Sequence, residues 1–236
     1  MTEREQAANH LKVIRSLMER ATVYRTISWP TALLGGSLAV ILSALIFFRE
    51  RAAIDKGMIA ERAISEEAWV FCWMVALALT VFFNAWLVSR KSRREGRPFF
   101  SPGLKMGLRA LLPPMLAGGV IGVGLTLSGA AALGASLWVT CYGLALLATR
   151  GLAPVSMLRL GHAFLYAGLA CFLYSWREGP NPLSGEEAPH DMERSMLAAN
   201  LIMAICFGFF HLIYGVIVMR ASGGEEVGQA EHDGES

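Results

Sequence analysis

The chain has 236 residues, of which 54% are hydrophobic, and its mean hydropathy is +0.45. A soluble globular domain is about 45–50% apolar even when Gly is counted, so this composition excludes an ordinary soluble domain. The net charge of +2 points to no strongly acidic or basic partner, and it is the distribution of the charges along the chain that carries information.

Residues 1–28 are charged and come before the first long apolar run, so no signal peptide is expected. Within them Ala7, Leu11, Ile14, Met18 and Ala21 recur at alternating spacings of four and three. That spacing predicts a helix over Glu3–Ile27 with one apolar stripe, which His10, Leu17 and Tyr24 widen. Arg4, Lys12, Arg15, Glu19 and Arg20 occupy the other face. Such a helix could lie on the membrane, form a dimer seam, dock a cytoplasmic protein partner, or pack beneath the bundle.

Six apolar stretches follow: Trp29–Phe48, Ala68–Val88, Leu108–Leu127, Ala131–Thr149, Ser156–Trp176 and Leu197–Met219. A helix needs roughly 20 apolar residues to cross the hydrocarbon core, and unbroken runs of this length are helical there. The expected fold class is therefore all-α: a polytopic membrane bundle of six transmembrane helices, arranged in one reading as three hairpins, with an amphipathic N-terminal helix. The expected domains are a cytoplasmic amphipathic helix at 1–28, a six-helix transmembrane domain at 29–219, and a disordered acidic cytoplasmic tail at 220–236.

Several local signals mark individual spans. The first opens with Pro30-Thr-Ala-Leu-Leu-Gly35-Gly36, and the third carries Pro113-Pro-Met-Leu-Ala-Gly118-Gly119, with the same distance from Pro to Gly-Gly. Trp69-Val-Phe-Cys72-Trp73 in the second span parallels Trp138-Val-Thr-Cys141-Tyr142 in the fourth. These echoes suggest parallel hairpin repeats of the kind some transporters use. Pro113-Pro114 should kink the third helix, which is expected to start with Ser101 as cap and Pro102 in its first turn. The glycines, including the Gly118–Gly122 pair, leave flat surfaces for close helix packing or for dimerisation. Asp191 is the expected N-cap of the sixth helix, after a turn-rich loop at Gly179-Pro-Asn-Pro182. The tail after Arg220 is Gly-rich and acidic, a composition that favours disorder.

Lys and Arg set the orientation. Fifteen fall on one side: Arg4, Lys12, Arg15, Arg20, Arg25, Arg90, Lys91, Arg93, Arg94, Arg97, Lys105, Arg109, Arg150, Arg159 and Arg220. The other six, Arg49, Arg51, Lys56, Arg62, Arg177 and Arg194, are mixed with acids. Both termini are therefore expected in the cytoplasm. The Arg90–Arg97 run reads as a topology determinant beside anionic headgroups rather than a nucleic-acid site, and no nucleic-acid partner is expected.

Cys72, Cys141, Cys171 and Cys206 all lie within spans and lack zinc spacing, so they read as small hydrophobes. No catalytic, nucleotide or metal motif stands out, and neither an enzyme nor a cofactor is expected. Polar groups inside a membrane are functional candidates. Here they are Asn84, His162, Asn200 and His211, with Tyr166 four residues after His162 and Tyr214 three after His211. Each His–Tyr pair shares a helix face. Two imidazoles on neighbouring spans could hold haem or a metal, act on a proton or ligand, or be neutral and bonded to a carbonyl or a Tyr. Their depths leave contact between them open.

Ile14-Arg-Ser-Leu-Met-Glu-Arg20-Ala, Leu112-Pro-Pro-Met-Leu-Ala-Gly118, Tyr142-Gly143 and Gly208-Phe-Phe-His211-Leu-Ile-Tyr-Gly215 occur in this order. Together they resemble a group of uncharacterised bacterial six-span membrane proteins often encoded beside a winged-helix regulator. The resemblance implies a bacterial inner-membrane location and carries over no activity. Two function classes remain: a non-enzymatic sensor or accessory protein acting through partners, or as a homo-oligomer, and a small-molecule transporter or substrate-binding membrane subunit. A polar cavity at membrane depth would favour the second, and a dry core the first.

Overall fold

The computed structural model describes residues 29–55, 64–94, 96, 100, 102–178 and 189–234. The expected amphipathic helix at 1–28 and the turn at 179–182 lie outside these residues. The described residues are helical: α1 (Trp29–Asp55), α2 (Glu66–Arg94), α3 (Pro102–Leu127), α4 (Ala131–Ala148), α5 (Val155–Glu178), α6 (Pro189–Met203), a π-helical segment (Ala204–Phe210) and α7 (His211–Gly234). Six helical stretches are long and apolar enough to cross a membrane: Trp29–Ala52, Glu66–Arg94, Gly103–Leu127, Ala131–Ala148, Val155–Arg177 and Arg194–Ser222. The chain is a multi-pass, all-helical membrane-type bundle.

The helix ends follow from local chemistry. At the start of α2, the Ser65 hydroxyl accepts the Ala68 N–H at 3.3 Å. Glu66 and Glu67 lie in the first turn and Lys91, Arg93 and Arg94 in the last, signs that complement the helix dipole. Between α3 and α4, Gly129 takes φ +85°. The N–H of Ala130 bonds Leu125 O and that of Gly129 bonds Thr126 O. This is the Schellman pattern, in which a left-handed Gly satisfies the last carbonyls and reverses the chain within three residues. α3 starts at Pro102 and runs unbroken through Pro113 and Pro114.

One expectation about the last span needs correction. α6 begins at Pro189, so Asp191 lies inside the first turn rather than at the cap; proline's fixed φ suits the first helical position. α7 is helical to Gly234. Extending an existing helix avoids the cost of a new nucleus, which lets a poor helix-forming sequence continue one.

Burial is uneven. α4 is the central helix, buried around most of its circumference, and it packs on α3, α5 and α6. Its small residues admit its neighbours. Gly134 abuts Gly122 and Thr126 of α3, Gly143 abuts Gly161 and Leu165 of α5, and Thr140 abuts Gly168 of α5. Small residues give membrane helices close approach and dispersion contact where no hydrophobic drive exists between them. By contrast, α2 buries just Trp69 and Trp73.

The three-hairpin reading gives way to a different pairing for the first span. α1 packs most closely on the last span, where Gly36 meets Gly208 and Leu212, and Val40 meets Gly208. In the third span the glycine matching Gly36 is Gly119, which meets nothing within 4 Å, while Gly118 meets Cys141 of α4 and its counterpart Gly35 meets Thr80 of α2. The same Pro-to-Gly-Gly pattern thus serves two different partners, because any flat helix face accepts a close neighbour wherever the chain brings one.

Candidate functional site

A cavity of about 250 Å³ lies among all six spans. Its wall is mainly apolar and aromatic: Ala32 and Ala39 of α1, Trp73, Met74 and Leu77 of α2, Met115 of α3, Trp138 and Leu146 of α4, Met157 and Leu160 of α5, and Met203 and Phe207 of the last span. The polar contributors are Thr31, Thr80, Tyr142, His211 and Tyr214. Met74 and Leu77 line the cavity and are exposed, so the loosely packed α2 is its least covered wall. Gly118 and Gly119 form part of the α3 side. A side chain at Gly118 would strike Cys141, whereas at Gly119 it would meet open space.

The polar centre is a Tyr142–His211 pair joining α4 to α7. Tyr142 Oη and His211 Nε2 are 2.9 Å apart, and His211 Nδ1 is 3.0 Å from the carbonyl oxygen of Phe207. A carbonyl oxygen only accepts, so Nδ1 carries the proton. In the neutral ring Nε2 then accepts, and Tyr142 donates its hydroxyl hydrogen to it. The tautomer is assigned from this bonding pattern. The dyad is uncharged and leaves lone pairs on the Tyr142 oxygen as an acceptor toward the cavity.

The backbone at the end of the π-helical segment leaves the Phe207 carbonyl to the ring. In a regular α-helix the Phe207 carbonyl would take the His211 N–H. Here that N–H bonds the Gly208 carbonyl, and the imidazole takes Phe207 O. Single π turns are frequent at functional sites, where they redirect one side chain. An aromatic collar then holds the ring, with centroids at 5.5 Å to Tyr142, 5.2 Å to Phe164 and 6.1 Å to Phe207.

The other candidates separate into different places. Tyr214 is buried and lines the same cavity. His162 is exposed on the outer face of α5, where Nδ1 bonds the Leu158 carbonyl at 2.8 Å. Tyr166 is 64% exposed beside it, with ring centroids 6.0 Å apart. Thus His162 and Tyr166 share a face, but it is not the face that meets His211. The two-imidazole haem or metal arrangement is not formed, because the helical phase of α5 turns Phe164, not His162, toward the last span. Asn84 ties α2 to α1, its Oδ1 accepting the Thr31 hydroxyl at 3.1 Å.

Asn200 is 3% exposed and belongs to a tryptophan cluster instead of the cavity. Its Oδ1 accepts Trp69 Nε1–H at 2.8 Å. Trp69 is fully buried and stacks on Trp138 at 5.6 Å and 16°, and Trp73 leans on Trp69 at 5.9 Å. The recurring tryptophans of the second and fourth spans therefore meet face to face. Among the described residues the Nε1 of Trp138 and of Trp73 has no acceptor.

Tyr142 is the site residue that the reading of polar groups missed, although it closes one of the two sequence echoes. A phenol within an apolar span is the signal that would have found it, since a buried Tyr hydroxyl usually seeks a partner. The pairing across 69 residues needs the fold. Among the described residues no group of three metal-ligating side chains occurs. Comparison with known protein families, with curated proteins and with solved structures finds no match.

Proposed function

We propose that this chain is a membrane-embedded binding protein that admits a largely apolar small molecule to the centre of its helical bundle. The observation that carries this reading is the cavity among the six spans, apolar along its wall and polar at Tyr142–His211. Ligand sites are typically concave and mostly apolar, with a few polar groups that fix orientation. A neutral dyad offering an acceptor oxygen suits a ligand with one hydroxyl or N–H on an apolar body. Among the described residues no cluster of acids and bases converges on the cavity wall, which favours binding or translocation over chemistry. The reading belongs with a substrate-binding membrane subunit or transporter more than with a purely structural accessory protein. Action through a cytoplasmic partner would rest on the stripe of Leu11, Ile14 and Met18. The Lys/Arg asymmetry and the resemblance of the motifs support a bacterial inner membrane with both termini in the cytoplasm.

Gly119→Leu tests the reading. Gly119 lines the cavity and a Cβ there meets nothing within 4 Å, so the larger side chain should take up cavity space. Wild-type protein purified in mild detergent should release a solvent-extractable apolar molecule, identified by mass spectrometry. Gly119→Leu, eluting as wild type, should release little of it. Equal release from both would refute cavity binding.

A further inference from the structure

At the other end of α3, away from the central cavity, Arg109 of α3 and Arg150 of the α4–α5 turn line one shallow open hollow. Its remaining walls are Met106, Ala110, Ala148, Gly151 and Leu152. The turn is built to hold Arg150. Leu152 and Ala153 N–H groups both bond Thr149 O, at 2.9 and 3.1 Å, and Gly151 takes φ +88°. Both arginines are exposed, and among the described residues neither guanidinium has a hydrogen-bond or ion-pair partner.

The apolar helix Gly103–Leu127 has 25 residues, about 37 Å at 1.5 Å per residue, against a hydrocarbon core of about 30 Å. Arg109, about 9 Å from its start, therefore sits close to the boundary of that core. A cation at this depth extends toward the interface and requires a counter-charge, and among the described residues no carboxylate lines the hollow. Anionic phosphates of the adjacent leaflet lie at this level, and guanidinium forks match phosphate oxygens in bidentate geometry. The apolar walls contributed by Met106, Ala110, Ala148 and Leu152 suit the glycerol and upper acyl carbons below such a phosphate. We infer that the hollow between Arg109 and Arg150 is a binding site for the phosphate of an anionic phospholipid. The site fastens the start of α3 to the α4–α5 turn, and it is independent of what occupies the central cavity.

Native mass spectrometry of the full chain in detergent tests this. The probes are phosphatidylglycerol and phosphatidylcholine of identical acyl chains. Wild type should retain the anionic lipid at least tenfold more strongly. R109Q/R150Q should lose that preference, while R93Q/R94Q, at the same end of the bundle, should keep it. Should the double variant lose helical content, R150Q alone, in an exposed turn, should lower the preference at least threefold. Equal retention of the two lipids by wild type would overturn the proposal, as would an unchanged preference in R109Q/R150Q or R150Q. Displacement of the bound lipid by millimolar inorganic phosphate would also overturn it, by making the occupant a soluble anion.

Discussion

Gly122→Ala should be among the most damaging one-carbon changes in this protein, and the reason is a chain of contacts that starts at its missing Cβ. An added Cβ would fall on the Nε1–Cδ1 edge of Trp138 and lie 3.1 Å from the Gly134 carbonyl oxygen. The indole borders the cavity but cannot move toward its stacking partner. Its ring stacks on Trp69, which is fully buried and held by the Asn200 bond. Overpacking a fitted core costs about 1–3 kcal/mol. Disturbing a stacked aromatic pair adds about 0.5–1.5 kcal/mol. The expected loss is therefore about 2–4 kcal/mol. Gly124→Ala on the same helix supplies the control, since its Cβ meets nothing within 4 Å. That change should be neutral, or stabilising by up to about 1 kcal/mol from helix propensity. Unfolding by sodium dodecyl sulfate in mixed micelles, followed by circular dichroism, measures both. At 1.4 kcal/mol per factor of ten, the two folded-to-unfolded ratios should differ by about thirtyfold or more. A Gly122→Ala protein within 0.5 kcal/mol of Gly124→Ala would refute the contact chain from α3 through Trp138 to Asn200.

Three further expectations concern other contacts. His211→Phe should cost about 1–3 kcal/mol in the same micelle assay, because Tyr142 Oη and Phe207 O lose their partner. If the dyad also orients a ligand, His211→Gln, whose amide donates and accepts, should recover stability but not ligand retention; recovery of both would make His211 purely structural. Trp69→Phe orphans Asn200 Oδ1 and should cost about 1–3 kcal/mol more than Trp138→Phe, which removes a donor that has no acceptor; equal losses would contradict the pairing. Reporter fusions after Arg97 and after Ser184 should report opposite sides of the membrane, the first cytoplasmic, and like signals from both would sink the assigned topology.

The sequence by itself determined the class of solvent and the helices. Hydrocarbon tolerates no unsatisfied backbone, so six long apolar runs dictate six spanning helices, and their limits are legible from charge and length. Lateral arrangement was a different matter. The surfaces of Leu, Val and Phe facing one another in a membrane differ little from those facing lipid, so hydrophobicity does not say which helix meets which. Only the tertiary structure showed α1 against the last span, α4 at the centre, and α2 nearly bare. The polar groups divide in the same way. His211 could be singled out because an imidazole within an apolar span is costly. Whether His162 joined it depended on the rotational phase of α5, which turns that residue outward. The partner of His211 is Tyr142, whose approach depends on α4 packing beside the last span. A sequence read along one dimension contains the residues of that pair, and the distance between them is a property of the packed bundle.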